Sequence, residues 1–319
     1  MNFRRLLYIA ALIIAASACK KDDEYEISPS LDGQLTIHDL PEFALPGQKV
    51  TLTASGVEHP EGEALTYHWK VSPSMTEYKK ADIFEHVFSD TLRTYTITCY
   101  AAAEGYANSS VSLYTTLVAP GEDGSVQGVN YSEVAEGIVS EEGGQPYYYK
   151  TIGNKVWMMN NIAAGEGLGF RGSELMADIF GRYYNYEQAK AACNSLDTDQ
   201  QDWELPSLED WADLEAYLGK KPAAKMMGDV TFNGLKMWEY FPAVGDISND
   251  SDFSAIPLGY ANTVSKTFHG LYEYAAFWTA DEVSENEAYY KYLICDQAEI
   301  QTGKGSKTSF GASVRCVRK

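Results

Sequence analysis

Period-two alternation of apolar and polar residues, broken at short intervals by Gly and Pro, is the feature that most restricts this chain. Gln48-Lys49-Val50-Thr51-Leu52-Thr53-Ala54, Leu65-Thr66-Tyr67-His68-Trp69-Lys70-Val71 and Thr94-Tyr95-Thr96-Ile97-Thr98-Cys99-Tyr100 each place every second side chain on one face. An extended strand does the same, so each segment is predicted to be a half-buried β-strand. Val111 to Val118 reads as a further strand, and Pro46-Gly47, Pro60-Glu61-Gly62 and Glu104-Gly105 supply turns. Short strands at this spacing predict an all-β sandwich over residues 28–119. His38, His59, His68 and His86 fall in it without the spacing of metal ligands.

Pro120-Gly121-Glu122-Asp123-Gly124-Ser125 is polar and turn-rich, and is read as a linker at 120–125 before a second domain at 126–319. Tyr147 to Ile152 and Lys155 to Met159 flank Gly153-Asn154, the pattern of a β-hairpin. Asn185 with Gln188 three residues on predicts a capped helix running to Cys193. Ser207 with Asp210, then Trp211, Leu214 and Leu218, predicts another that Gly219 stops. The remainder reads as short strands and long loops.

Arg4-Arg5, the apolar run Leu6 to Ala16 and the small residues before Cys19 have the order of a secretory signal at 1–18. The run is too short to span a bilayer, which needs about 20 apolar residues. The segment resembles the lipobox of bacterial lipoproteins, with Ala16 where Leu is usual, so Cys19 is the expected lipidation site. Residues 19–27 would then be a tether. Lys21-Asp22-Asp23-Glu24 resembles the tag of lipoproteins moved to the outer face of the outer membrane. The expected location is therefore the cell surface, with membrane contact through the lipid anchor only. A net charge of −20 repels phosphate backbones and argues against nucleic acid as a partner. Of 5 cysteines, removing Cys19 leaves an even number for an oxidising compartment.

Pro60 to Trp69 and Thr94 to Ala101 resemble stretches of PKD and related Ig-like modules. Cys99 lacks the earlier cysteine of an antibody-type bridge, and the module reads as a spacer. Beyond the linker the blocks resemble the FISUMP family, the Fibrobacter succinogenes major paralogous domain. Ile152 to Asn161 is similar to its opening block, Gly181 to Ala189 and Trp203 to Trp211 to its helical blocks. Phe253 to Tyr260, Phe277 to Ala280 and Ser313 to Val317 follow in order. Asn194 to Asp202 is longer than the family's turn, and Glu204 stands where the family has His. The resemblance implies an α+β C-type-lectin-like domain, so the expected fold is an all-β Ig-like sandwich followed by that domain.

Four cysteines outside the signal allow several pairings. The resemblance favours Cys193 with Cys316, because the first helix and the last strand are neighbours in lectin-like folds; Cys295 competes with either partner. Trp203, Trp211 and Trp278 read as core. The expected ligand surface lies in the loops from Met237 to Tyr274: Trp238, Tyr240, Tyr260, Phe268, Tyr272 and Tyr274, aromatics able to contact sugar rings. Asp246, Asp250 and Asp252 lack an EF-hand spacing, and no metal or cofactor is expected. His269 is the lone histidine of this domain, which leaves little for a histidine-based triad. The expected function is non-catalytic binding of an extracellular glycan or protein. The alternative is a structural subunit of a surface assembly such as a fimbria, and an oxidase related to formylglycine-generating enzymes lacks its cysteine pair.

Overall fold

The computed structural model describes residues 28–318 except 75, 125, 140–145, 197–201 and 239–243. The signal segment, Cys19, the tether and Tyr240 lie outside the described residues. Among the described residues no helix is long and apolar enough to cross a membrane.

The first half is built of β1 (Asp32–His38), β2 (Phe43–Ala44), β3 (Lys49–Glu58), β4 (Thr66–Val71), β5 (Glu77–Lys80), β6 (Ile83–Val87), β7 (Thr94–Ala102) and β8 (Ser109–Leu117). They form two sheets, ordered β1-β3-β6 and β2-β8-β7-β4-β5. Alternation turns Tyr95, Ile97, Cys99 and Ala101 of β7 inward. Trp69 of one sheet is fully buried and stacks on Phe84 of the other at 5.2 Å. Its indole N–H donates to the Ala81 carbonyl at 3.2 Å, which satisfies the polar atom that its burial would otherwise strand. Cys99 is a buried free thiol whose pKa burial pushes up to about 12.

The chain enters and leaves this sandwich at opposite ends. Ser30 bridges Ala107 near the β7–β8 turn, whereas the Leu117 N–H donates to Arg93 just before β7. With β8 at 9 residues, the two ends are roughly 30 Å apart.

The second half adds β9 (Gly137–Val139), β10 (Tyr147–Ile152), β11 (Lys155–Met158), β12 (Trp203–Glu204), β13 (Thr231–Phe232) and β14 (Leu235–Lys236). After these come β15 (Tyr260–Asn262), β16 (Thr267–His269), β17 (Tyr274–Glu282), β18 (Glu287–Ile294), β19 (Gln301–Ser306), β20 (Phe310–Gly311) and β21 (Val317–Arg318). One sheet runs β12-β21-β11-β10-β9, so the last strand lies against the first hairpin. A second runs β17-β18-β19 and a third β16-β15-β20. The hairpin turns at Gly153, where φ is +68°.

Both predicted helices form with their caps. In the helix Tyr186–Asn194 the Asn185 carboxamide accepts the Gln188 N–H at 2.9 Å, and Gln188 accepts the Asn185 N–H at 3.1 Å. In the helix Leu208–Leu218 the Asp210 carboxylate accepts the Ser207 N–H at 2.8 Å, and the Ser207 hydroxyl accepts the Asp210 N–H at 3.1 Å. Burial works against the charged Asp210 carboxyl. The Ser207 N–H and hydroxyl and the Lys155 ammonium outweigh it and hold the pKa below the ordinary value.

Cys193 ends the first of these helices and is bonded to Cys316, with S–S 1.99 Å and Cα atoms 5.7 Å apart. Cys295 is buried outside that bridge. The core on one side of the β17-β18-β19 sheet gathers Trp157, Trp211, Phe253 and Phe277; Trp211 and Phe253 each lie within 5.2–5.8 Å, centroid to centroid, of the other three rings. The loops from Met237 onward, expected at the surface, contribute Trp238 and Val244 to this same core. The long strands β17 and β18 were not foreseen, because β17 is apolar on both faces and lacks the two-residue period.

Arg315 is fully buried against this core. Its guanidinium donates to Asn161 Oδ1 at 2.7 Å and to the carbonyls of Met158 (3.3 Å), Met159, Phe253 (2.6 Å) and Ser254 (3.0 Å). It also lies over the Phe253 ring, 4.7 Å from the centroid. Residues from the opening block, the central loop and the C-terminal block therefore meet on one side chain.

The two halves share apolar contacts. Phe43 and Val118 belong to the same buried cluster as Trp157 and Phe253, and Phe43 lies 6.0 Å from Phe170. Asn233 donates to the Leu117 carbonyl at 2.7 Å, and Glu42 pairs with Arg171.

Candidate functional site

The alternation of β18 puts Tyr290 and Tyr292 on one face and Lys291 and Leu293 on the other. Tyr290 stands opposite Gly303 of β19, where an added Cβ would come within 2.3 Å of the tyrosine ring. Gly305 leaves similar room for Phe310. Bare backbone thus allows large rings to lie flat on the strand. Tyr290 stacks on Phe310 at 4.4 Å, Phe310 on Tyr260 at 5.4 Å, and Tyr260 on His269 at 5.3 Å. The interplanar angles of 25°, 28° and 27° make these rings a ladder that crosses from β18 over β20 to β15 and β16. Tyr274 meets Tyr260 edge-on at 6.4 Å, and Tyr292 joins Tyr274 at 5.9 Å to Tyr290 at 5.7 Å. Beneath lies Trp278, fully buried, its ring edge-on to Phe310 at 5.3 Å and its indole N–H bonded to the Tyr184 carbonyl at 2.7 Å.

Stacking occupies the faces of the ladder rings with one another, which leaves their edges and hydroxyls for other contacts. These hydroxyls differ from those of the interior tyrosines. Tyr183, Tyr184 and Tyr186 each donate to a backbone carbonyl at 2.7 Å. The hydroxyls of Tyr260, Tyr274, Tyr290 and Tyr292 bond to nothing among the described residues. Burial first, then Glu273 and the phenol of Tyr292, raise the pKa of Tyr274; burial and neighbouring phenols raise that of Tyr290. Both stay neutral well past physiological pH and can donate as well as accept.

The aromatics expected to bind fall in three places. Tyr260 and Tyr274 belong to the pad. Trp238 does not: it is 6% exposed and its indole N–H donates to the Ala255 carbonyl at 3.0 Å, so it is a core residue. Phe268 packs edge-on between Phe170 and Tyr183, each at 5.4 Å, and Tyr272 rests against the same core. Tyr240 lies outside the described residues. His269, Tyr290, Tyr292 and Phe310 were missed, although Tyr289-Tyr290-Lys291-Tyr292 in a strand-forming run is a visible aromatic signal.

The sandwich carries a separate cleft of about 390 Å³ lined by Tyr78, His86, Arg93 and Tyr95 among others. Its Ser89 and Tyr95 hydroxyls are already bonded to each other at 2.5 Å. Among the described residues no three His, Cys, Asp or Glu come together as a metal shell, and Asp252 is paired with Lys150 at 2.5 Å.

The model of the Fibrobacter succinogenes major domain matches residues 151–318, more than half of the chain. The chain belongs to this family. All the pad residues lie inside the Fibrobacter succinogenes major domain, as do Arg315 and the disulfide. No curated protein matches the chain. Among solved structures it is similar to a carbohydrate-binding module of the β-sandwich superfamily, at 8% identity over 92% of each chain with a TM-score of 0.31. It is also similar to the Yersinia pseudotuberculosis adhesin InvE, at 11% identity over 90% of this chain and 71% of that one, with a TM-score of 0.25. Superpositions this loose bear on neither fold nor ligand.

Proposed function

We propose that this protein is a non-catalytic, surface-displayed binder whose aromatic pad takes a glycan. The observation that carries this is the set of phenol hydroxyls on Tyr260, Tyr274, Tyr290 and Tyr292, held on a rigid ring ladder and unbonded among the described residues. Such a surface matches a ligand rich in hydroxyls, because each phenol can both donate to and accept from them. Among the described residues the most exposed apolar side chains, Val264 at 75% in a turn and Leu235 at 74% in β14, lie outside the pad and add no aliphatic anchor to it.

The C-type-lectin-like description of residues 126–319 belongs to this reading, and the meeting of the first hairpin with the last strand supports it. So does the role of 28–119 as an Ig-like spacer, supported by entry and exit at opposite ends of the sandwich. The lipid anchor at Cys19 and the outer-membrane surface location rest on residues 1–27 of the sequence. Cys19→Ala should release the protein from the membrane fraction or block its processing. Binding is tested on a glycan array with wild type and Tyr292→Ala. We expect a retained glycan class that the variant loses. Retention of a purified fimbrial or other surface protein, with no glycan bound, would favour the assembly reading instead.

A further inference from the structure

We infer that the pad selects uncharged glycans and rejects those carrying carboxylate or sulfate groups; this rests on the glycan reading above. The strands that build the pad sort their charges by face. Opposite Tyr290 and Tyr292, β19 presents Gly303 and Gln301, neither charged. The lysines of β18 and β19 turn the other way, and the cation nearest the β15–β16 end is Lys266, exposed in the turn between those strands. Lys291 is buried and pairs with Glu215 of the helix Leu208–Leu218 at 2.6 Å. Lys304 sits over the Tyr289 ring at 5.8 Å, on the face opposite Tyr290. Lys307, just past β19, pairs with Glu282 at 2.8 Å.

The rim next to Tyr274 is anionic. Glu273 and Asp296 are both exposed, and the Cys295 N–H bonds the Glu273 carbonyl at 2.9 Å, which keeps their two segments together. Neither carboxylate has a cationic partner among the described residues. His269, the imidazole of the pad, stacks on Tyr260, which also meets Tyr274, and lies 3.2 Å from the Thr267 hydroxyl. An anionic ligand laid across the pad therefore meets two unneutralised carboxylates, within a chain of net charge −20. A neutral chain meets hydroxyls and ring edges alone.

The full chain would be immobilised and its retention of neutral polysaccharides (a glucan, a mannan and a xylan) compared with polygalacturonate and hyaluronate at low and high salt. The expected result is at least a tenfold preference for a neutral polymer at low salt, narrowing as salt screens the rim. Glu273→Gln with Asp296→Asn should raise retention of the acidic polymers at least fivefold and leave the neutral polymer unaffected. Equal or stronger retention of the acidic polymers by wild type at low salt overturns the inference, as does an unchanged ratio in the double variant. If wild type retains a polymer and Tyr292→Ala loses it, the glycan reading stands whichever way the charge preference falls. Retention of no polymer at all sinks that reading and this inference with it.

Discussion

Arg315 is buried with no carboxylate paired to it among the described residues, and its charge is met by backbone carbonyls, Asn161 and the Phe253 ring. Burial pushes its pKa down to about 10, with the Tyr131 phenol acting in the opposite sense, so it stays cationic at neutral pH. Each buried carbonyl left unpaired costs about 1–3 kcal/mol. Arg315→Met, which keeps bulk but no donor, should therefore cost about 3–5 kcal/mol, read as a lower denaturant midpoint at unchanged slope. Trp238 and Tyr292 make a sharper contrast. Trp238→Ala empties a core position and should cost about 3–5 kcal/mol. Tyr292→Ala removes a partly buried ring at the edge of the core and should cost about 1–2 kcal/mol while abolishing glycan binding. The reverse pattern would move the ligand surface back to the loop.

At the scale of elements, the disulfide encloses a separation of 123 residues between the first capped helix and the residue before β21. The chain-entropy model puts an upper bound of about 4–5 kcal/mol on a loop of that length. Cys193→Ser with Cys316→Ser should lower the thermal midpoint accordingly, and an unchanged midpoint would remove the bridge from the account. Elements whose signals are local were legible in the sequence. The Gly153-Asn154 hairpin and the Asn185 and Ser207 caps need only neighbouring residues to form. The pairing of Cys193 with Cys316 was legible only through the family resemblance, since nothing local separates Cys316 from Cys295. The pad was half legible. Tyr260 and Tyr274 stood in a stretch rich in Gly and aromatics, but so did Trp238, and composition does not say which ring turns inward. The partners of Tyr260 come from β16, β17 and β20, brought together by sheet pairing across some fifty residues.

At the scale of the whole molecule, the sandwich is tied to the family domain by burial rather than by a bare linker. Phe43 completes a cluster that contains Trp157 and Phe253. Phe43→Ala should thus lower the stability of the second half, measured by its Trp fluorescence on unfolding, by about 3 kcal/mol. Alkaline stability follows from buried phenols. Burial raises Tyr131 and Tyr186 to about 12 and Tyr183 further still. An unfolded phenol ionises near pH 10, before these do. Their contribution is fully present below about pH 10 and is lost as pH rises toward 12, since the unfolded chain releases protons that the folded one retains. The depressed Arg315 pulls the other way, but it is one group against three. Stability should fall above about pH 10, with the interior tyrosines ionising only as the protein unfolds.

In the proposed function, the unengaged phenol hydroxyls on and beside the ring ladder bind the glycan. Replacing Tyr260, Tyr274, Tyr290 and Tyr292 together by Phe keeps the rings and removes only those hydroxyls. The measurement is the affinity of this variant for the glycan class that the wild type retains, taken with its thermal midpoint. At least a hundredfold loss of affinity, about 2.7 kcal/mol, is expected at a nearly unchanged midpoint. Wild-type affinity in the variant would contradict the proposed function.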